Sequence, residues 1–357
     1  MQVSEELVRA LPKTDLHLHL DGSLRLETML DLARGQGIRL PEESVEGLGR
    51  LLRMGDGERS LERYLTAFDH TLSVLQEKEA LERCAYELAE DCADENVRYI
   101  EVRFSPILHT RHGLSLKDSV EAVRDGLRRA EHQLEIRTGV IICGIRHISP
   151  ESSLVLAQLA LEYKGDGVVA YDLAGAEEHF PAKKHREAFF LILNNNINCT
   201  VHAGEAFGPS SIAQAVHYCG AHRIGHGTRL REDPDLMAYI NDHRIALEMC
   251  LSSNVHTGAI QTLADHPIKQ YLDAGLRVTL NTDNRLMSNT NVTREFMLGV
   301  EHCGLDVHDI EDIIIYGFKS ACLPLKAKKD LLGRVYKEIR RLTQPFHPSG
   351  DEHEANI

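Results

Sequence analysis

The chain has 357 residues, of which 43% are hydrophobic, and this length is enough to bury a sizeable core. Its formal charge of −14 is spread along the sequence, so the surface should repel a phosphate backbone and a nucleic-acid polymer is an unsuitable partner. No run approaches about 18 uninterrupted apolar residues, and the acidic start has no apolar signal core, so we expect neither a membrane partner nor secretion. Eight cysteines without a C-x-x-C spacing fit core packing in a cytoplasmic protein.

Short β-branched runs alternate with longer amphipathic segments along the chain. The predicted strands are Asp15–Leu20, Val97–Phe104, Val140–Ile148, Val168–Leu173, Cys199–Ala203, Arg223–His226, Ala246–Cys250 and Arg277–Leu280. Alternation of strands and helices favours a parallel sheet, because parallel neighbours need a crossover connection. Eight such units predict an α/β fold closed into a (β/α)8 barrel.

The helical segments are recognised by their periodicity. Apolar residues recur every three or four positions in Glu79–Glu95 and in Ser115–Glu135, and residues 309–342 are again helical in pattern. About 75 residues separate the first two strands, so extra helices are expected there. We predict one domain over residues 1–345 and a disordered polar tail over residues 346–357.

Ionisable residues stand at the ends of the predicted strands. His17 and His19 close the first strand, and side chains two apart on a strand point the same way, so both can reach one metal ion. Further ionisable groups follow at strands five to eight, namely His202 and Glu205, His226, Glu248, and Asp283. Because the catalytic groups of parallel barrels lie at the C-terminal strand ends, these residues predict one shared site.

Imidazole and carboxylate ligands suggest the identity of the metal. They are borderline ligands that suit zinc best, with iron, cobalt and nickel as alternatives. The end of the fourth strand, residues 171–175, contains no lysine whose carbamylation could bridge a second ion. We therefore expect one zinc ion per chain.

Several motifs together resemble the adenosine deaminase family of the amidohydrolase superfamily. They are TDLHLHLDGS, EVRFSP, DLAG, VHAGE, RIGHG and the TD of the eighth strand, in order from about residue 11 to about residue 325. VHAGE followed by RIGHG some twenty residues later is much more specific than the H-x-H spacing. The resemblance implies a zinc-dependent aminohydrolase that converts adenosine or 2′-deoxyadenosine to the inosine product and ammonia.

Individual roles follow from the resemblance by position. It implies that the zinc ligands are His17, His19, His202 and Asp283. It also implies a catalytic set of Glu205, His226 and Asp283, and substrate contacts at His19, Asp21, Gly175 and Asn284.

Within these sets, Glu205 would share its proton with purine N1, and His226 would contact the attacking water. Glu248 would orient His226. The backbone N–H of Gly175 would bond purine N3, and Asp21 would accept a hydrogen bond from the ribose 5′-hydroxyl.

One departure from the family pattern affects the expected substrate. The family usually reads TDDP after strand eight, whereas residues 282–285 read TDNR. The amide of Asn284 can still donate to purine N7. Alternatives for the substrate are adenine, a 5′-modified adenosine and aminodeoxyfutalosine, whereas the carboxylate of Asp21 should repel the phosphate of AMP. The complete metal and acid–base set argues against a catalytically silent binding module.

Overall fold

The computed structural model of the chain describes residues 3–55 and 61–347. Eight parallel strands pair in chain order in one sheet, which confirms the predicted α/β class and (β/α)8 barrel. The strands are β1 (Lys13–His19), β2 (Val97–Phe104), β3 (Arg137–Ile145), β4 (Val168–Ala174), β5 (Asn198–Ala203), β6 (Arg223–His226), β7 (Ala246–Met249) and β8 (Val278–Leu280).

Fifteen α-helices occur in the described part of the chain, and four of them fill the long connection between β1 and β2. These four are α2 (Leu26–Gln36), α3 (Val45–Leu52), α4 (Leu61–Val74) and α5 (Lys78–Ala93). The others are α1 (Glu5–Ala10), α6 (Leu116–Gln133), α7 (Pro150–Glu162), α8 (Arg186–Asn194), α9 (Pro209–His217), α10 (Pro234–Asp242), α11 (Leu251–His256), α12 (Ile268–Asp273), α13 (Val292–His302), α14 (Val307–Ser320) and α15 (Leu325–Thr343).

The third strand differs from its prediction at both ends. It begins at Arg137, because Arg137 and Thr138 pair with Tyr99 and Ile100 of β2 although they lie before the apolar run. It ends at Ile145, where the chain turns and the N–H of residue 148 bonds the carbonyl of residue 145 at 3.2 Å. The register with a neighbouring strand therefore outweighs the local apolar pattern.

The barrel closes between β1 and the residue that follows β8. Asp283 donates its backbone N–H to the carbonyl of His17 at 2.8 Å and accepts the N–H of His19 at 2.7 Å. The backbone of Asp283 is left-handed there, with φ of 58°. Closure therefore brings the ends of the first and the last strands, with their ionisable side chains, to one point.

Two further predictions concern membrane-spanning helices and the C-terminus. No helix within residues 3–55 and 61–347 combines the length and the apolar content that crossing a bilayer requires. Residues 344–346 form a 3-10 turn, and residues 348–357 of the predicted tail lie outside the described residues. The single domain over residues 1–345 stays a prediction.

Gly126 marks a close approach between two barrel helices. It lies in α6, and a methyl group added to it would overlap the carbonyl oxygen of Glu82 and contact the side chain of Ala85, both on α5. The two helices can therefore pack at this distance only because residue 126 lacks a side chain.

We expect Gly126→Ala to lower the free energy of unfolding by about 1–3 kcal/mol, because overpacking forces the two helices apart. Gly333 is the matched control, since it is exposed in α15 and a methyl group there meets no described atom within 4 Å. Gly333→Ala should raise stability by up to about 1 kcal/mol through helix propensity. Chemical denaturation measures both, and equal effects of the two substitutions would contradict the packing explanation.

Candidate active site

The ionisable side chains predicted at the strand ends meet at the C-terminal end of the barrel. Potential ligand atoms of His17, His202, His226 and Asp283 all lie within 4.8 Å of one another. Nε2 of His19 is 3.2 Å from Nε2 of His202 and 3.4 Å from Oδ1 of Asp283. Four groups therefore form one cluster and His19 adjoins two of them, and the hydrogen bonds behind these groups indicate which can bind a metal.

Carboxylates fix the tautomers of two of these histidines. Nδ1 of His17 lies 2.8 Å from Glu248, and Nδ1 of His202 lies 3.0 Å from Asp172. Because a carboxylate only accepts, each Nδ1 carries the hydrogen and each Nε2 presents a lone pair. Burial, reinforced by Arg103, lowers the pKa of His17 to about 4, so this imidazole is neutral, as a metal ligand must be.

The spacing of the ligand atoms fits one metal ion. Within the described residues, Nε2 of His17 has no hydrogen-bond partner, and it lies 3.5 Å from Oδ1 of Asp283. Metal–ligand bonds of about 2.0–2.1 Å in a tetrahedral site place ligand atoms about 3.3 Å apart. Three separations within this candidate set, His19–His202, His19–Asp283 and His17–Asp283, are 3.2–3.5 Å and agree with that value, and three imidazoles with one carboxylate suit zinc.

A chain of hydrogen bonds indicates the opposite tautomer for His226. His266 accepts the N–H of Ile268 at Nδ1 (3.3 Å), so its hydrogen is on Nε2, which lies 3.2 Å from Oδ1 of Asn254. The amide of Asn254 donates to Nδ1 of His226 at 3.0 Å. The hydrogen of neutral His226 is therefore on Nε2, which lies 3.6 Å from Oε2 of Glu205. His226 suits a hydrogen-bond donor, and His19 is the better fourth candidate ligand.

Glu248 requires a correction, since we expected it to orient His226. Its Oε2 instead contacts His17 and accepts from Arg103 at 2.9 Å, and its Oε1 accepts the hydroxyl of Thr200 at 3.0 Å. The reason is that the carboxylate is fully engaged by inward side chains deeper in the barrel, while Nδ1 of His226 is bonded by the amide of Asn254. Glu248, His17 and Thr200 lie on β7, β1 and β5, whereas His226 lies on β6 and takes Asn254 as its partner.

Residues at and just after α11 complete the site, and no role was predicted for them from the sequence. Thr257 donates its hydroxyl to Oε1 of Glu205 at 2.9 Å, and the amide of Asn254 lies 3.5 Å from the same oxygen. Ser253 donates to Oδ2 of Asp283 at 2.5 Å. The sequence signal that could have indicated them was the polar run at residues 252–254, shortly after the end of β7.

The predicted substrate contacts lie at the rim of this cluster. Asp21 is buried, its Oδ1 lies 3.9 Å from Nδ1 of His19 and has no hydrogen-bond partner within the described residues, and burial raises its pKa to about 7. The side chain of Asn284 lies directly over Gly22, where a methyl group would overlap it. Gly175 is exposed after β4 with a left-handed φ of 93°.

Metal analysis of two variants tests the choice between His19 and His226. We expect His226→Gln to keep about one equivalent of metal, because its Nε2–H offers no lone pair. His19→Ala removes a ligand and should weaken binding at least about 10-fold, the loss typical of even an outer-shell change. Elemental analysis after dialysis against a weak chelator measures both. Metal loss in the His226 variant alone would reverse the assignment.

Known proteins are similar to this chain over most of its length. The family model described as adenosine deaminase matches residues 12–338. Adenosine deaminase 1 of Streptomyces coelicolor is 42% identical over 351 residues, covering 94% of this chain and 88% of that protein. A Dictyostelium discoideum protein described as "Probable adenosine deaminase" is 39% identical over 96% of this chain, which spans only 44% of its length.

Solved structures with similar folds have more varied names. The crystal structure of adenine deaminase from Arthrobacter aurescens has a TM-score of 0.86 and 27% identity, covering 92% of this chain and 99% of that chain. The N6-methyl-AMP deaminase from Arabidopsis thaliana has a TM-score of 0.83 and 27% identity, covering 96% of this chain and 100% of that chain.

Proposed function

Because the chain belongs to the adenosine deaminase family and is a hydrolase acting on C–N bonds, we propose that it converts adenosine and 2′-deoxyadenosine to the inosine product and ammonia at one zinc ion. The observation that carries the proposal is the position of Glu205 beside His226, next to a cluster of imidazoles and a carboxylate. A carboxyl group, an N–H donor and a metal site are the groups that hydrolytic deamination of a purine requires.

The proposed ligands of the ion are His17, His19, His202 and Asp283. Zinc, when bound there, supplies a Lewis acid that lowers the pKa of a water to about 7. Each cysteine of the chain is free, which supports a reducing, cytoplasmic setting.

The purine ring must gain a proton at N1 as the water oxygen bonds to C6, because the addition disrupts aromaticity. Glu205 is suited to deliver this proton: Oε1 is held by the hydroxyl of Thr257, and Oε2 faces His226. The Nε2–H of His226 donates to the water oxygen as charge develops on it. One proton of the water then passes to the amino group, the C6–N6 bond breaks and ammonia leaves, while the other proton returns to Glu205 as the C6 carbonyl forms.

Adenosine is favoured over adenine and AMP by the surroundings of Asp21. Its buried Oδ1, without a partner in the described residues, lies where the family resemblance puts the 5′-hydroxyl, and a hydroxyl could satisfy it. Adenine lacks this hydroxyl. A carboxyl group offers the phosphate of AMP no cation, whichever its protonation state. The amide of Asn284 suits purine N7 as a donor.

A substrate panel tests this proposal. The ultraviolet absorbance change should be rapid with adenosine and 2′-deoxyadenosine. We expect kcat/KM to be lower by about 100-fold or more with adenine, which would leave a buried group unpaired, and with AMP, whose phosphate would meet no cation. Glu205→Gln should lose at least about 100-fold in kcat while keeping its metal. Comparable turnover of AMP and adenosine would contradict the role of Asp21. Activity on adenine alone would show that the substrate is the free base and not the nucleoside.

A further inference from the structure

One carboxylate holds the loop that carries Glu205. Glu177 accepts four consecutive backbone N–H groups of residues 204–207: Oε1 accepts from Gly204 at 2.6 Å, and Oε2 accepts from the next three residues at 3.1, 2.7 and 3.0 Å. Glu177 is only 8% exposed. Consecutive N–H groups that converge in this way form an anion-binding concavity, and here the anion is part of the protein.

The same two loops are joined at a second point. Arg146, which follows β3, donates one guanidinium N–H to the carbonyl of His202 and another to the carbonyl of Phe180 at 3.3 Å. Gly204 turns the chain out of β5 with a left-handed φ of 73°, and Glu177 binds directly after this turn. The backbone on each side of the turn is therefore tied to the segment after β4.

We propose that Glu177 is a positioning residue, which holds the backbone of residues 204–207 so that the carboxyl group of Glu205 meets ring N1 of the 6-aminopurine. This inference rests on the proposed function, because it takes the proton delivery by Glu205 from it. Among residues 3–55 and 61–347, the hydrogen bonds of the Glu177 side chain go to the backbone of residues 204–207 and to no member of the metal cluster. Its effect passes through the peptide groups that it binds.

A carboxylate suits this position better than any near-isostere. Both of its oxygens only accept, and all four groups that face it are donors. Glutamine would present its amide N–H₂ to at least one of these N–H groups, so that a hydrogen bond would be lost and two donors would face each other. The loop would have to move to relieve this contact.

The test compares Glu177→Gln with Glu178→Gln. Glu178 is the matched control, since it removes the same charge from the next residue, which is exposed. Both variants are assayed with the best substrate of the wild-type enzyme, and rates are given per folded, metal-loaded chain. We expect Glu177→Gln to lower kcat about 10- to 100-fold with KM changed less than about threefold, because a displacement of about 1 Å at a catalytic group can cost 100-fold. Glu178→Gln should keep the wild-type values.

Amide hydrogen exchange supplies a readout that does not depend on activity. Exchange of the amides of residues 204–207 should be at least about 10-fold faster in Glu177→Gln and unchanged in Glu178→Gln. Unchanged exchange overturns the inference, and so does a wild-type kcat in Glu177→Gln. A wild-type enzyme that turns over no 6-aminopurine refutes the proposed function instead, and the exchange rates still decide whether Glu177 holds the loop.

Discussion

The seam that closes the barrel is also the frame of the candidate metal site. Asp283 makes two backbone hydrogen bonds to β1, one to His17 and one to His19, and all three residues are candidate ligands. A further hydrogen bond joins the same two segments just before these residues, where the carboxyl group of Asp15 accepts the hydroxyl of Thr282 at 2.6 Å. The register of the first and last strands fixes the distances among these ligand atoms. A change that disturbs barrel closure should therefore also weaken metal binding.

Beneath this seam, buried ion pairs hold the imidazoles in place. Arg103 donates to Asp172 at 2.8 Å and to Glu248 at 2.9 Å, while Arg223 donates to Glu248 at 2.5 Å and also to Glu101. Burial alone would raise the pKa of Glu248, but the two guanidinium groups hold it well below its usual range. Removal of one partner would leave an uncompensated buried charge, at a cost of about 3–5 kcal/mol. The anions that orient the histidines are therefore required by the fold as well as by the site.

Much of this arrangement could be predicted from the sequence, because strand ends are local features and a parallel barrel gathers them at one face. The closeness of His17, His202 and Asp283 needed only the order of the strands. The partner of Glu248 could not be predicted in the same way, since it depends on which inward side chains meet across the barrel. The role of Glu177 was not predicted for a related reason. Its hydrogen-bond donors are backbone N–H groups of residues 204–207, and backbone groups do not depend on the residue types in a sequence.

The packing of Asn284 over Gly22 has a consequence for changes in substrate preference. Any side chain at residue 22 would need the volume that Asn284 occupies, and Asp21 stands next to it on the same turn. The position expected to face the base is therefore coupled sterically to residue 22, which has no side chain and directly follows the position expected to face the sugar. A library that varied residue 22 alone would therefore clash with Asn284, and a side chain at residue 22 would have to be selected together with a smaller or displaced residue 284.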